Sequence, residues 1–463
     1  MKRVNILMLK RKIIALTATL LLLVGLLTVG AVPAAAEGYP LPEDTVLYAP
    51  AAILVNLAGN PEQDMVLYEK EADTVHAPGS MMRYAVLGYA LSRIQEQGLD
   101  IDTATGTYSK ELFDRYVAGT GVPTANMKFG EVWTLRDLLA VAFMQSASDA
   151  VAVLATAVDG SVSGFIDGMN AMTEKLGCDY THFANLTGLD SLSQYTTARD
   201  MYRIVRYCQS FSVFEDIAVK YQVQVTPVSG GSKRTIVSSN SLLQASSIHR
   251  YQPIVHSRTG LSEHEGRTCA SVARDAGYEY LVVVMGCAEE NDKGETGLHY
   301  RDTKTLFRWA FSQFEYKTVL GKSEILASVP LDLAWNTDHI NLVPAAEVAT
   351  VVDSKLDLNQ IIRKITLDAQ RVDAPVEKGQ VLGRVELIIN TDQVIGSVEL
   401  VAGDTISRSW LLYAWSRVAG FFTSVWFWLG LLALVLLIIG YVILNIVYNR
   451  RRRRQRLQRV KRS

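Results

Sequence analysis

Residues 421–447 form an unbroken run of 27 positions without a charged side chain, and Arg450, Arg451, Arg452, Arg453 and Arg454 follow almost at once. A stretch this long exceeds the ~20 apolar residues that cross a bilayer. Trp410, Trp415, Trp426 and Trp428 crowd its leading end and Tyr441 and Tyr448 its trailing end, as the two membrane–water interfaces favour. The arginine run could serve nuclear targeting or RNA binding. Directly after a span it reads as a stop-transfer signal that keeps the tail in the cytoplasm. The expected layout is a juxtamembrane segment at 406–420, a single transmembrane helix at 421–447 and a basic tail at 448–463.

The other end repeats the theme. Lys2, Arg3, Lys10, Arg11 and Lys12 precede an uncharged run at 13–32, which ends in Pro33-Ala34-Ala35-Ala36-Glu37. Basic residues, an apolar stretch and small residues at the −3 and −1 positions make a secretory signal over 1–36, cut after Ala36; the alternative is a retained N-terminal anchor. Removing the five cations here and the nine of the tail from the total of 46 leaves 32 against 47 acids, so the intervening body carries a net charge near −15. An acidic body between two basic ends is not a nucleic-acid-binding domain. It fits an exported membrane protein, with its body outside the membrane.

Within 463 residues there is room for two or three domains, and a 49% hydrophobic, 20% charged composition excludes wholesale disorder. Cys178, Cys208, Cys269 and Cys287 lack CxxC spacing. Export permits disulfides, but buried free thiols are the expected state. The seven histidines include no HExxH or HxxxH pair, so no metal site is expected, and no organic cofactor is implied.

The body reads as strands at 52–57 and 65–69 and a helix at 81–97 closed by Gly98. Further helices are expected at 134–144, 149–158, 162–176 and 197–207. Strands return at 253–257, 267–273 and 278–287, before a helix at 303–314. Early and late strands around a helical block make an α+β domain, expected at 45–318. From about residue 322 short alternating runs at 361–367, 383–389 and 394–401 mark a small all-β domain at 322–405.

Several stretches, in order, resemble penicillin-binding serine-type D-alanyl-D-alanine carboxypeptidases. They are Tyr68-Glu69-Lys70 with Ala77-Pro78-Gly79-Ser80; Leu138-Leu139 with Ser146-Ala147-Ser148-Asp149-Ala150; Thr181-His182-Phe183-Ala184-Asn185 with Gly188-Leu189-Asp190; and Arg258-Thr259-Gly260. Ala374-Pro375-Val376 with Lys378-Gly379-Gln380 is similar to that family's C-terminal β domain. The resemblance covers about 49–403 and implies a β-lactamase-like fold, an antiparallel sheet flanked by helices. It implies a role in peptidoglycan metabolism.

The active-site motifs depart from the family. Its members use Ser-x-x-Lys, Ser-x-Asn and Lys-Thr-Gly around one cleft. Serine and lysine three apart on a helix face the same way, so a desolvated neutral lysine accepts the serine proton. The second motif shuttles protons and holds substrate. The third binds the substrate's terminal carboxylate. Here the first reads Ser80-Met81-Met82-Arg83, and the chain has no Ser-x-x-Lys anywhere. A guanidinium with a pKa near 13 leaves only about one in a million neutral at pH 7. The second reads Ser146-Ala147-Ser148, in which Ser148 replaces the carboxamide and, standing before Asp149, reads first as a helix N-cap. The third reads Arg258-Thr259-Gly260, which keeps a cation and offers a fork suited to a carboxylate. Outside that context Ser80 would be read as another N-cap, Arg83 as a surface ion-pairing residue, and Arg258-Thr259-Gly260 as an ordinary strand-edge turn.

The resemblance assigns Ser80, Arg83 and Ser146 to the catalytic positions and Ser148, Arg258, Thr259 and Gly260 to substrate binding. Three readings follow. The chain kept the fold, lost or weakened hydrolysis, and binds peptidoglycan stem peptides or envelope partners. Alternatively it is a working carboxypeptidase acylated at Ser80. In the third reading it is a membrane scaffold whose cleft is vestigial.

Overall fold

The computed structural model describes residues 39–389 and 393–460; the expected signal at 1–36 and the end of the basic tail lie outside the described residues. Two compact units divide between Glu315 and Tyr316.

The first unit is built on a five-stranded antiparallel sheet. With β1 (Ala51–Asn56), β2 (Met65–Lys70), β3 (Ile254–Ser262), β4 (Gly266–Asp275) and β5 (Tyr278–Cys287), the order is β2-β1-β5-β4-β3. Every residue of β1 is buried, as a central strand covered on both faces requires. Alternation sorts its side chains: Ala51, Ile53 and Val55 join Leu281, Val283 and Met285 of β5 in the main hydrophobic cluster. β3 is an edge strand, and the Arg258-Thr259-Gly260 motif lies in its middle, with Arg258 opposite Ala270 of β4.

The helices match the expected pattern closely. A single 3-10 turn over Gly79–Met82 runs straight into α1 (Arg83–Gln97), which Gly98 ends at φ 63°. α1 is buried on most sides, from Arg83 through Gly88 and again at Ala90, Leu91 and Ile94, as a helix at the centre of a domain must be. Around it stand α2 (Lys110–Tyr116), α3 (Leu135–Gln145), α4 (Ser148–Asp159), α5 (Val162–Lys175), α6 (Ala198–Gln209), α7 (Ser212–Ala218) and α8 (Leu298–Gln313). Thr134 and Thr197 cap α3 and α6 by accepting from Asp137 N at 3.1 Å and Asp200 N at 3.0 Å. The short α2 and α7, and the ribbons Thr105–Thr107 with Val132–Thr134 and Gln222–Val225 with Arg234–Val237, were not anticipated.

The second unit holds a six-stranded sheet of β6 (Ala327–Asp332), β7 (His339–Pro344), β8 (Ile362–Leu367), β9 (Val372–Asp373), β10 (Val381–Ile389) and β11 (Gln393–Ala402), in the order β8-β10-β11-β7-β6-β9. Alternate residues such as Val329, Leu331, Ile340, Leu342, Val385 and Leu387 make its core. After it come α9 (Trp410–Thr423) and α10 (Val425–Val460), separated by Ser424 alone. The juxtamembrane segment is therefore a helix, and Phe421, Phe422 and Thr423 belong to it. The apolar helix long enough to cross a membrane starts at Val425 and runs to Arg450. Ser424 takes an extended conformation, ψ 135°, which breaks the helix that charge counting alone ran together.

Glycine lets the edge strand pass close to the turn that carries Ser80. A Cβ on Gly260 would sit 2.3 Å from Pro78 O and 2.6 Å from Thr268 Oγ1. A backbone oxygen cannot step aside cheaply, so Gly260→Ala is expected to destabilise the first unit by about 1–3 kcal/mol. Gly59→Ala, where nothing lies within 4 Å, should stay within about 0.5 kcal/mol. Thermal and urea unfolding of the two variants against the parent protein measures both.

Candidate functional site

All three motifs converge where α1 begins. Ser80 lies in the 3-10 turn and is half-exposed; Arg83 opens α1, Ser146 ends α3, and Arg258 comes in from β3. Ser146 holds φ 57°, a left-handed conformation unusual for a residue with a Cβ. That sharp turn aims its carbonyl and its hydroxyl at two different arginines.

Arg83 is fully buried, not the surface residue that a reading without context gives. One Nη donates to Leu186 O. The other donates to Ser146 O at 3.0 Å, Thr187 O at 3.1 Å and Ser148 Oγ at 3.2 Å. None of these bonds goes to Ser80. The guanidinium braces three segments together: the start of α1, the α3–α4 turn and the loop at 186–187. Burial, with the charge of Arg258 close by, draws Arg83 down to about 9. That is further than sequence alone implied, yet about 99 in a hundred guanidiniums stay charged at pH 7. The position three residues after Ser80 thus holds a cation whose two Nη groups are already hydrogen-bonded.

Arg258 is equally buried. It donates to Met144 O at 3.2 Å and to Ser146 Oγ, and its guanidinium lies over the Phe143 ring at 5.6 Å. Burial lowers it to about 10. Neither arginine pairs with a carboxylate among the described residues, and the Nε of each is buried without a partner. Two uncompensated cations therefore flank Ser146. A negative charge placed there would offset both cations.

Ser148 is not the N-cap. Ala147 occupies that position, and Ser148 is the first residue of α4, its hydroxyl taken by Arg83. Ser80 is not one either, since Pro78 stands at the cap of its turn. Thr259 is half-exposed, on the opposite side of the strand from Arg258 and Gly260. Sequence reasoning missed the carbonyls of Leu186 and Thr187, and it missed Gly188, whose Cβ would lie 2.9 Å from Gly79. Backbone acceptors leave no residue-type signal. Asn240 of the Ser238-Ser239-Asn240 stretch is turned to β3, donating to Ser257 Oγ at 2.9 Å.

The four cysteines are free and buried. No group of three metal-ligating side chains occurs among the described residues. A cavity of about 480 Å³ lies beside the site, lined by Ala77, Asp190, Tyr195, Ser262 and Glu265 among others. It reaches neither Ser80 nor the arginines.

Comparison with known proteins places this geometry. Residues 41–289 match the family model described as D-alanyl-D-alanine carboxypeptidase, and 314–408 match that of the penicillin-binding protein 5 C-terminal domain. Among curated proteins, D-alanyl-D-alanine carboxypeptidase DacC of Escherichia coli (strain K12) is 26% identical over 70% of this chain and 77% of its own length. D-alanyl-D-alanine carboxypeptidase DacF of Bacillus subtilis (strain 168) is 22% identical over 70% and 78%. The solved structure of penicillin binding protein 5 from Haemophilus influenzae superposes with a TM-score of 0.60 at 20% identity, covering 80% of this chain and all of that one. The last likeness fixes the fold.

His256, two residues before Arg258, donates to or accepts from Tyr84 OH at 3.0 Å, while its Nε2 is buried and unpartnered. Burial, helped by the nearby Arg274 charge, lowers it from 6.5 to about 3. The unfolded chain takes up this proton first as pH falls. Stability due to His256 is thus full above pH 6.5 and is lost progressively between 6.5 and 3, on the order of 5 kcal/mol in all. Urea midpoints measured across that window should fall less steeply for His256→Gln than for the parent protein.

Proposed function

The chain belongs to the D-alanyl-D-alanine carboxypeptidase family, and we propose that it is a member in which acyl transfer is lost or very slow while recognition of a peptide carboxylate persists. Peptidoglycan stem peptides are its proposed ligands, and the bilayer its proposed anchor through α10.

One observation carries the reading: the Arg83 guanidinium is charged, buried and hydrogen-bonded to three carbonyls and Ser148. Serine attacks an amide only as its proton leaves, so the nucleophile needs an acceptor within reach. A positioned base is worth about 10²–10⁴ in rate. Arg83 cannot take that role, because giving up a proton would also surrender a bond to a buried carbonyl. Ser146 is no substitute. Its hydroxyl already accepts from a cation, which disfavours a second proton there.

Binding has independent support. Arg83 and Arg258 bury two charges, neither paired with a carboxylate among the described residues, and a ligand carboxylate is the group that would neutralise them. Access requires Arg258 to exchange Ser146 Oγ and Met144 O for the ligand, a side-chain movement within one network. The active-enzyme reading rests on the retained Ser80 hydroxyl alone. For topology, the arginines from Arg450 onward favour a cytoplasmic tail and an extracytoplasmic body.

The full-length protein incubated with a fluorescent penicillin should label at Ser80 at least about 10²-fold more slowly than DacC. A D-Ala-D-Ala-ended pentapeptide should still bind saturably, and Arg258→Ala, checked for folding by its melting profile, should abolish that binding. Labelling and D-Ala release at the relative's rate would establish a working enzyme, whereas neither label nor peptide binding would leave a scaffold. Arg83→Lys alone should not restore the relative's acylation rate. A lysine frees the Leu186 and Thr187 carbonyls without returning the carboxamide missing at Ser148 or the lysine missing at Arg258. Penicillin labelling of that variant decides it.

A further inference from the structure

A feature of opposite charge stands beside the two arginines. The cavity of about 480 Å³ is walled by the segment that leads into the Ser80 turn, by the loop at 190–195 and by the tip of the β3–β4 hairpin. No lysine or arginine lines it, whereas two carboxylates do, Asp190 and Glu265. Apolar groups line it as well: Val75, Leu192 and Tyr195 are exposed there, Leu192 fully so.

Both carboxylates are held in advance. Asp190 Oδ2 accepts from Ser262 Oγ at 2.9 Å and from Glu263 N at 2.8 Å. Glu265 Oε2 accepts from Ala77 N at 2.8 Å and lies 3.1 Å from His76 Nδ1. These bonds tie the loop, the hairpin tip and the segment ahead of Ser80 around the cavity, so its shape does not wait for a ligand. Each carboxylate spends one oxygen this way. The other, Asp190 Oδ1 or Glu265 Oε1, has no protein partner among the described residues.

We propose that this cavity takes an aliphatic ammonium side chain of the bound peptide and so selects ligands by a residue upstream of their carboxylate. The proposal rests on the reading of Arg258 as the carboxylate site. An ammonium fits better than a guanidinium. Bidentate pairing needs both oxygens of one carboxylate, and here one of each is taken. A point charge with three donors can use the two free oxygens together, with its methylenes against Val75, Ala77 and Leu192.

Spacing sets which residue carries it. Ser262 lies four positions beyond Arg258 on the edge strand β3, about 13 Å away. A peptide extended along that edge, its carboxylate at Arg258, has its third residue from the C-terminus about 7 Å back. A four-carbon stem covers the remaining ~6 Å. Opposite signs at the two ends also fix the direction, because a reversed peptide would set its carboxylate against Asp190 and Glu265.

Binding of two pentapeptides to the full-length protein, followed by calorimetry, tests this. Both end in D-Ala-D-Ala; the residue third from the end is lysine in one and Nε-acetyl-lysine in the other, which keeps the stem and loses the charge. The lysyl peptide is expected to bind about 5- to 10-fold more tightly. In the double variant Asp190→Asn, Glu265→Gln, whose amides keep an oxygen for the existing donors, that ratio should fall to near one. Leu192→Lys, at a fully exposed position that folding does not depend on, should weaken the lysyl peptide selectively. Equal affinity of the two peptides for the parent protein would overturn the proposal, as would a preference that survives in both variants. Binding of neither peptide would instead bring down the carboxylate reading at Arg258, and this proposal with it.

Discussion

Arg83 sets the geometry around it. A buried guanidinium with no carboxylate carries a desolvation penalty of several kcal/mol, so it persists only where hydrogen bonds answer its charge. Four do, and charge-assisted bonds contribute about 1.5–3 kcal/mol each. Their acceptors lie on the loop at 186–187, on the left-handed Ser146 and on the first residue of α4. The brace therefore also fixes where α3 stops and α4 begins. It holds the loop whose Gly188 rests against the backbone of Gly79 and Ser80. A short amine could not span these acceptors, because its three donors radiate from one point whereas the guanidinium spreads its donors over a plane.

Fold and chemistry make separate demands on this chain. The sheet order, the buried α1 and the glycines that let β3 approach the turn before Ser80 are all in place, and they depend on packing and backbone clearance. None of them needs a proton acceptor. Catalysis depends on one lone pair at one position, and a side chain of similar length can occupy that position, satisfy its surroundings and supply no lone pair. Membership of the D-alanyl-D-alanine carboxypeptidase family is thus secure at the level of architecture and says little about turnover.

Much of the architecture was legible in the sequence for the same reason. The helix over 83–97 announced itself by a long apolar run and a terminal glycine, and Thr134 and Thr197 marked helix starts that the structure keeps. Strands from 278 to 287 stood out by β-branched content. The short ribbons and the seven-residue α2 and α7 did not, because three or four residues carry no period to read. Around Ser80 the sequence revealed which motifs had changed but not where Arg83 would point. Its partners are main-chain carbonyls, which every residue possesses. Reading Ser148 as a cap failed for a related reason: a buried arginine claimed the hydroxyl that a cap would have turned to the backbone. The break at Ser424 was invisible to charge counting, since serine is tolerated both in spans and at helix ends.

The three altered motifs also cannot be weighed one at a time. Arg83 bonds to the carbonyl of Ser146 and to Ser148, while Arg258 bonds to the hydroxyl of Ser146 and to Met144 two residues earlier. The first, second and third motifs thus form one hydrogen-bonded unit centred on a single turn, and the two cations in it repel through little more than that turn. Changing either arginine alters the field and the acceptors available to the other, so their effects must be coupled, as contacting residues in one network are. Coupling of this kind means that a change in any one of the three motifs cannot be read without the other two.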